Sequence, residues 1–375
     1  MKKVLLLVFA VCLLASYMCH AQGCCSGGSG SPIAGGASAG VLLDRQMEIS
    51  SNFQYIRSNK FFTEDRDTAK LFEDYNSRYV YSKIAYGITK DLTVSVEAGY
   101  FLNKTQLSLF DSSVNKYNKI ESSGIADLII FPRYDIYNHT EEKKRVELTL
   151  GLGYKIPLGK HNDSMLVFTN PTTGQQIYTT SPPLVQPTTG SQDIIFYAFF
   201  FRGFPLHKFR MFANTLYIRK GWNSLGEKFG DYSSVGLFAG KTFFENLGVT
   251  LQLKGEHIGK LKAAENVDLL AMYNVDTAST GNEKIMFVPQ LSYSWKSFTF
   301  FALKEFPLYE YVNGVQVGTQ TLFTAGVSYR FFTARSKIPS SYNGDVYCCP
   351  MKCEGMEFTK EGKCPICGMV LEKKK

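Results

Sequence analysis

The sequence has no long apolar run beyond its N-terminus. Its longest such run, Ile194–Phe201, falls far short of the roughly 20 apolar residues that a membrane-spanning helix needs. We therefore do not expect a helical inner-membrane protein. Residues 1–21 differ from the rest: two lysines precede an apolar stretch from Val4 to Ala15, which is too short to span a bilayer. This pattern predicts a secretory signal peptide that is cleaved after Ala21, and hence an exported protein.

Cysteine is absent from most of the chain. Of the nine cysteines, none lies between residues 26 and 347, and Cys24 and Cys25 lie near the new N-terminus that cleavage after Ala21 would leave. The long middle of the chain is therefore not a disulfide scaffold. Apart from the tail Lys373–Lys375, the lysines and arginines behind the net charge of +8 are scattered along the chain and form no basic face or arm. This distribution argues against a nucleic-acid-binding protein.

The middle of the chain is rich in strands of alternating character. In Val146–Ile156 (VELTLGLGYKI) apolar residues alternate with other residues, which places the apolar side chains on one face of a strand. Most such segments have about ten residues or more, the length that a tilted strand needs to cross a bilayer, whereas strands in soluble proteins usually have about five or six. Twelve segments show the pattern: residues 46–57, 76–89, 91–102, 124–138, 144–158, 192–204, 209–220, 231–244, 247–260, 284–295, 297–309 and 321–332.

The connections between these segments alternate in length. Long ones cover residues 58–75, 103–123, 159–191, 221–230, 261–283 and 310–320, and short ones cover Lys90, 139–143, Pro205–Lys208, Glu245–Asn246 and Lys296. Outer-membrane barrels have short periplasmic turns and longer external loops. We therefore predict an all-β fold, an up-and-down transmembrane antiparallel β-barrel of about 12 strands in the bacterial outer membrane, with both termini in the periplasm. The alternative is a large soluble β-sandwich or a lipocalin-like barrel.

The last segment supports an outer-membrane barrel. Gly326, Tyr329 and Phe331 resemble the C-terminal β-signal of bacterial outer-membrane proteins, which in that family stands at the chain end and guides barrel assembly. Here residues 333–375 follow, so they are an addition behind a finished barrel. Charges of both signs at inward positions predict a polar lumen with internal ion pairs. These positions are Glu97, Arg133, Asp135, Glu147, Lys155, Lys254, Glu256 and Arg330.

The addition carries a cysteine cluster with the spacing C-x3-C-x10-C-x2-C. Its members are Cys349, Cys353, Cys364 and Cys367. Two such pairs can close a tetrahedral all-thiolate site, and a segment this short needs a metal ion in order to fold. Thiolates select zinc, Cu(I) or cadmium over calcium and magnesium, and the nearby thioethers of Met351 and Met369 favour copper. We therefore predict that a soft transition metal ion, Cu(I) or Zn(II), binds here.

The cluster also resembles a known family. Cys349-Pro350-Met351, followed by Cys364-Pro365-Ile366-Cys367-Gly368-Met369, is similar to the heavy-metal-binding domain of copper and heavy-metal efflux proteins. That family typically has Tyr-x-Cys-Pro-Met-His-Pro followed by Cys-Pro-x-Cys-Gly-Met, and Tyr347 fits it. Lys352 and Cys353 replace the usual His and Pro, so the extra cysteine stands in for an imidazole donor. The resemblance implies metal binding and does not by itself imply transport.

Other interpretations of the cysteines stay open. In the oxidising periplasm the cluster is alternatively a disulfide knot, and a purely structural zinc knuckle is a further option. Cys348 is a spare thiol. Cys24 and Cys25 form either a second soft-metal or redox site or an incidental pair.

The sequence offers little support for an enzyme. Gly36–Gly40 matches G-x-S-x-G, but it lies in Gly/Ser-rich sequence without the strand and helix that a nucleophile elbow needs. Outer-membrane phospholipases carry a His-x-Ser pair, which does not occur here. We therefore predict that the protein is not an enzyme.

Five segments result: a signal peptide (1–21), a Gly/Ser-rich periplasmic segment (22–44), the barrel (45–332), a linker (333–346) and a heavy-metal-binding module (347–375). We expect the protein to bind copper or zinc at the outer membrane, with transport as the extended hypothesis. Its expected partners are outer-membrane lipid, heavy-metal ions and periplasmic metal-efflux components, and not nucleic acid. The alternatives are a non-conducting barrel that anchors a metal-sequestering or metal-sensing module, and a barrel for other small solutes with a structural zinc or disulfide knuckle.

Overall fold

The computed structural model describes residues 40–112, 115–140, 145–244, 246–273, 275–295, 297–333, 344–348, 357–362 and 371–373. Its strands are β1 (Gln46–Ser58), β2 (Phe61–Glu64), β3 (Arg66–Thr68), β4 (Asp74–Gly87), β5 (Leu92–Asp111), β6 (Lys116–Thr140), β7 (Arg145–Pro157), β8 (Ser164–Thr169), β9 (Gln176–Thr180), β10 (Asp193–Phe204), β11 (Phe209–Arg219), β12 (Glu227–Lys228), β13 (Tyr232–Phe243), β14 (Leu247–Ile258), β15 (Lys262–Ala263), β16 (Asn282–Trp295), β17 (Phe298–Val317), β18 (Thr321–Phe332), β19 (Tyr347–Cys348), β20 (Glu357–Phe358) and β21 (Glu372–Lys373).

Helical structure is scarce among the described residues. One α-helix covers Leu269–Tyr273, and 3-10 turns cover Pro183–Val185, Pro205–His207 and Thr277–Ser279. Within the described ranges, no helix has the length and apolar character needed to cross a membrane.

Twelve strands close into one antiparallel barrel. Their order around the barrel follows the chain: β1, β4, β5, β6, β7, β10, β11, β13, β14, β16, β17 and β18. The last strand pairs with the first, from Gln46↔Phe332 to Arg57↔Thr321, so the sheet closes on itself. The predicted up-and-down barrel of about 12 strands is confirmed, and a two-sheet sandwich is excluded because a sandwich has open sheet edges.

Because of the alternation in the sequence, successive side chains of a strand face the outer surface and the interior of the barrel in turn. In β13 the residues Val235 and Leu237 are more than half exposed on the outer surface, while Phe238 is buried inside. In β5 the same alternation turns Val96 outward and Glu97 inward. An apolar outer surface needs no polar partner and therefore suits contact with lipid chains.

Three strands extend well past the predicted segments. The strands β5 and β17 each have 20 residues and β6 has 25, so the β5–β6 hairpin extends beyond the predicted segments. Its outer part pairs from Lys104↔Ser122 to Asp111↔Lys116. Periodicity could not find these extensions, because most residues in the added part of β6 are exposed and successive residues such as Val312 and Asn313 in β17 are both buried, so neither part alternates.

The two ends of the barrel differ. One end, here called the long-loop end, carries the connections β1–β4, β7–β10, β11–β13 and β14–β16, which hold the additional short strands. The other, the short-turn end, carries brief connections such as the one between β4 and β5. Since β1 begins and β18 ends at the short-turn end, the chain enters and leaves the barrel there.

Candidate functional site

The C-terminal module is built on a small sheet. The strand β19 lies between β20 and β21 and runs antiparallel to both, with Tyr347 opposite Phe358 on one side and Lys373 on the other. Leu371 is buried, and its N–H donates to the carbonyl oxygen of Gly362 over 2.9 Å. Three short segments of the tail, which flank the predicted ligands in the sequence, are thus brought together.

Two polar contacts support this sheet. The Tyr347 hydroxyl donates to Glu361 Oε1 over 3.1 Å, and Lys373 Nζ lies 2.7 Å from Asp345 Oδ1. The hydrogen bond to Asp345 raises the pKa of Lys373, while desolvation and the Glu361 carboxylate raise the pKa of Tyr347. Both side chains therefore keep their protons at neutral pH, and the two contacts persist there.

The predicted metal ligands lie outside the described residues, and so do Cys24 and Cys25. These ligands are Cys349, Cys353, Cys364, Cys367, Met351 and Met369. The four-cysteine site therefore stays a prediction. Cys348 is described, as a partly buried residue of β19. Among the residues with described positions, no group of three or more His, Cys, Asp or Glu could hold a metal ion.

Inside the barrel, charged side chains pair along the wall, within one strand or between strands that lie close together. Near the short-turn end, Glu48 accepts from Lys83 Nζ over 2.7 Å and also from Arg330 Nε. Nearby, Arg145 Nη2 lies 2.8 Å from Glu147 Oε2. The inward positions expected from the sequence do face the interior, and five of them are buried: Glu97, Arg133, Asp135, Glu147 and Lys155.

Nearer the long-loop end lies a second set of ion pairs. Lys155 Nζ and Lys220 Nζ approach the same oxygen, Asp193 Oδ2, at 2.8 and 3.0 Å. Further around the wall, Lys254 pairs with Glu256 over 3.1 Å and also with Glu305. The predicted internal ion pairs are therefore present at both ends of the lumen.

The lumen is not uniformly polar, contrary to the expectation from the sequence. An apolar band lines the wall from β6 to β14, and in it the rings of Phe212 and Phe238 stack with centroids 4.2 Å apart. The unbroken apolar run Ile194–Phe201 could have indicated this band, because a strand that is apolar on both its outer and its lumenal face does not alternate. The band comprises Ile129, Phe131, Ile195, Tyr197, Phe199, Phe212, Leu216, Ile218, Tyr232, Phe238 and Ile258.

The β7–β10 connection crosses the long-loop end. Its residue Leu184 packs against Ile56 of β1, Tyr75 of β4 and Leu322 of β18, which lie on the opposite side of the barrel from β7 and β10. Lys104 Nζ donates to the carbonyl oxygen of Gln186 over 2.7 Å, which ties the crossing segment to β5. This segment therefore covers the lumen at that end.

The residues before β1 enter the lumen at the other end. Leu42 is buried, and its N–H donates to Thr93 Oγ1 over 2.7 Å, where Thr93 is itself an inward-facing and fully buried residue of β5. Gly40 lies so close to the side chains of Glu147 and Phe199 that an added Cβ would be 1.8 Å from Glu147 Oε1. The segment Gly40–Leu43 therefore occupies part of the short-turn mouth.

One Ser–His contact was not found from the sequence. His161 Nε2 lies 2.8 Å from Ser224 Oγ, between two connections at the long-loop end. Among the hydrogen bonds of the described chain, none orients the other ring nitrogen of His161. The contact lacks the third group that orients the base in known triads.

Comparison with known proteins decides the identity of the C-terminal module. Residues 346–374 match the family model of the heavy metal binding domain. The C-terminal module is a heavy metal binding domain. The resemblance carried by the Cys-Pro-Met and Cys-Pro-Ile-Cys-Gly-Met motifs is therefore confirmed. No match was found among curated proteins.

The barrel is similar to solved outer-membrane proteins. An outer membrane channel from Pseudomonas putida F1 is 11% identical, with a TM-score of 0.58, over 79% of this chain and 99% of that one. The TodX monoaromatic hydrocarbon channel is 11% identical with a TM-score of 0.41, over 78% of this chain and 91% of that one. The KdgM porin is 10% identical with a TM-score of 0.36, over 75% of this chain and 99% of that one. The first likeness shows that the barrel has the fold of an outer-membrane channel.

Proposed function

We propose that this protein binds soft heavy-metal ions, Cu(I) or Zn(II), at the periplasmic face of the outer membrane, and that its barrel serves their passage. The family match of residues 346–374 is the observation that carries this proposal. Cys349, Cys353, Cys364 and Cys367 supply four thiolates, and Met351 and Met369 are soft auxiliary donors. The ion is cargo, and no covalent chemistry is involved.

The orientation of the barrel supports a periplasmic domain. Outer-membrane barrels turn their short connections to the periplasm, and both ends of this barrel's chain lie at the short-turn end. On that basis the heavy metal binding domain lies in the periplasm on the side of the short-turn end, after a linker at residues 333–346. There it can receive ions from, or deliver them to, periplasmic efflux components.

A second candidate has the barrel as an anchor only, with the domain sequestering or sensing the metal. The covered lumen favours this candidate, because the β7–β10 connection crosses one end and Gly40–Leu43 occupies part of the other. A planar-bilayer conductance that responds to Cu(I) supports passage. A barrel that shows no conductance but still binds metal supports the function as an anchor.

The metal content of the purified and reduced full chain tests the binding proposal. We expect about one soft ion per chain, as a four-thiolate site holds one tetrahedral ion. A variant that ends at Phe332 should hold none, and Cys364→Ser should lose most of the ion. The matched control Cys348→Ser should keep it, since Cys348 is not a predicted ligand. A metal-free wild type whose tail thiols form two disulfides would overturn the proposal.

We infer that the protein is not an enzyme, and the His161–Ser224 contact allows a direct check. Purified protein should not hydrolyse phospholipid vesicles above the rate of a Ser224→Ala variant. Lipid hydrolysis that disappears in Ser224→Ala would contradict this inference.

A further inference from the structure

A cavity lies in the lumen beneath the segment that crosses the long-loop end. Its volume is about 90 Å³, and its roof includes Pro183, Gln186 and Thr188 of the β7–β10 connection. Lys104 holds this roof through the Gln186 carbonyl oxygen, and Lys155 Nζ holds it through Thr189 Oγ1 over 2.8 Å. The cavity is therefore a roofed compartment of the barrel interior.

One part of the cavity wall is apolar. It is formed by side chains that point inward from β5, β6, β10, β11 and β14, namely Phe101, Ile129, Ile195, Ile218 and Ile258. Four of these are buried members of the lumenal apolar band. Such a wall stabilises a compact apolar group by removing its surface from water.

The other part of the wall is rich in ammonium groups. Lys104, Lys155 and Lys220 line the cavity, whereas Asp127 is the one carboxylate among its described lining residues. Asp193, behind Lys155 and Lys220, brings the balance to three cations against two anions. The field inside the cavity therefore favours an anion, and the surrounding apolar wall strengthens it.

The ammonium groups of Lys155 and Lys220 differ in how many of their N–H donors already have a partner. Lys155 Nζ has three partners, Asp193 at 2.8 Å, Thr189 at 2.8 Å and Asp127 at 3.3 Å. Lys220 Nζ, on a side chain that is 9% exposed, has Asp193 at 3.0 Å as its partner among the described residues. An ammonium group has three N–H donors, so Lys220 keeps two for a ligand in the cavity.

Asp193 cannot take up these remaining donors. Its Oδ1 accepts from Ser191 Oγ over 2.7 Å and from the N–H of Gly221 over 3.1 Å, while its Oδ2 is shared by both lysines. The carboxylate is thus already surrounded by four donors. The two unused N–H donors of Lys220 therefore suit a second, negatively charged acceptor.

We propose that this cavity binds a small organic anion in which a carboxylate is joined to a compact apolar body such as an aromatic ring. The carboxylate accepts from Lys220 Nζ, and the apolar body lies against Ile195, Ile218 and Ile258. This site belongs to the barrel and not to the heavy metal binding domain. It stands whether or not the domain binds a metal.

The test is a calorimetric titration of the folded full chain in detergent with three probes of similar shape: benzoate, benzamide and benzylammonium. We expect benzoate to bind at least about tenfold more tightly than the other two, since a hydrogen bond to a charged group has that effect on affinity. Lys220→Met should weaken benzoate binding about tenfold and weaken benzamide binding less, because benzamide offers Lys220 a neutral acceptor, and Lys220→Arg should retain benzoate binding. The control Lys83→Met removes a lumenal lysine at the opposite end and should leave all three affinities unchanged.

Equal affinities for the three probes, or no binding of benzoate, would overturn the proposal. An unchanged benzoate affinity in Lys220→Met would do so as well. If Lys220→Met does not fold, the affinities of the wild type for the three probes still test the proposal. The variant that ends at Phe332 separates this site from the metal domain, because it should bind benzoate as the full chain does.

Discussion

The carboxylate of Glu48 joins three strands at the seam where the first and last barrel strands pair. It accepts from Lys83 of β4 over 2.7 Å and from Arg330 of β18, and its own side chain is 3% exposed. Removing one member of a buried ion pair leaves an uncompensated buried charge, which costs about 3–5 kcal/mol. Because the Arg330 side chain is 31% exposed, solvent screens part of that cost. We therefore expect Glu48→Gln to lower the free energy of unfolding by about 3 kcal/mol.

Urea unfolding in lipid vesicles, followed by the fluorescence of Trp222 and Trp295, measures this change. The matched control is Asp65→Asn, which breaks an exposed pair with Arg66 at 3.9 Å and should change stability by at most about 1 kcal/mol. The double variant Glu48→Gln with Lys83→Met should be less destabilised than the sum of the single variants, by about 1 kcal/mol or more. A loss below about 0.5 kcal/mol for Glu48→Gln, or strictly additive effects, would refute the reasoning.

Three further predictions use the same unfolding assay or a conductance measurement. Leu237→Lys, on the outer surface near the middle of β13, should cost about 2–4 kcal/mol, whereas Phe243→Lys at the strand end should cost about 0–1 kcal/mol; equal costs would contradict a lipid-facing surface. Gly326→Ala should destabilise by about 1–3 kcal/mol, because its Cβ would lie 2.5 Å from the Phe301 ring and 2.7 Å from a backbone oxygen. Gly255→Ala, which meets no atom within 4 Å, is its control, and similar losses at both sites would speak against a close approach. Leu42→Asp should expel Gly40–Leu43 from the short-turn mouth and raise single-channel conductance in planar bilayers, and an unchanged conductance would show that this segment does not narrow the passage.

The twelve strands were predictable because each crosses an apolar layer with one face toward lipid and one toward the lumen. That requirement imposes a period of two on segments such as Val146–Ile156, whatever the rest of the chain does. The outer parts of β5, β6 and β17 lie outside this arrangement: most residues in the outer part of β6 are exposed, whereas Val312 and Asn313 in the outer part of β17 are both buried. They escaped detection because burial there does not follow a period of two.

The cysteine module was predictable for a different reason. Metal ligands that are close in the sequence must follow fixed spacings, so the motif shows in the sequence before any fold is known. The match of residues 346–374 confirms the family. The four-cysteine ligand set stays a prediction.

The sequence by itself determined the class of fold, the approximate strands and the nature of the C-terminal domain, because these depend on residues that are near one another along the chain. The tertiary structure alone decided what the lumen contains. Glu48 meets Arg330, and Leu184 meets Leu322, only because the barrel closes and a loop crosses it. The cavity with Lys220 exists for the same reason: its wall is assembled from strands far apart in sequence, and no local pattern records which of their side chains will face each other.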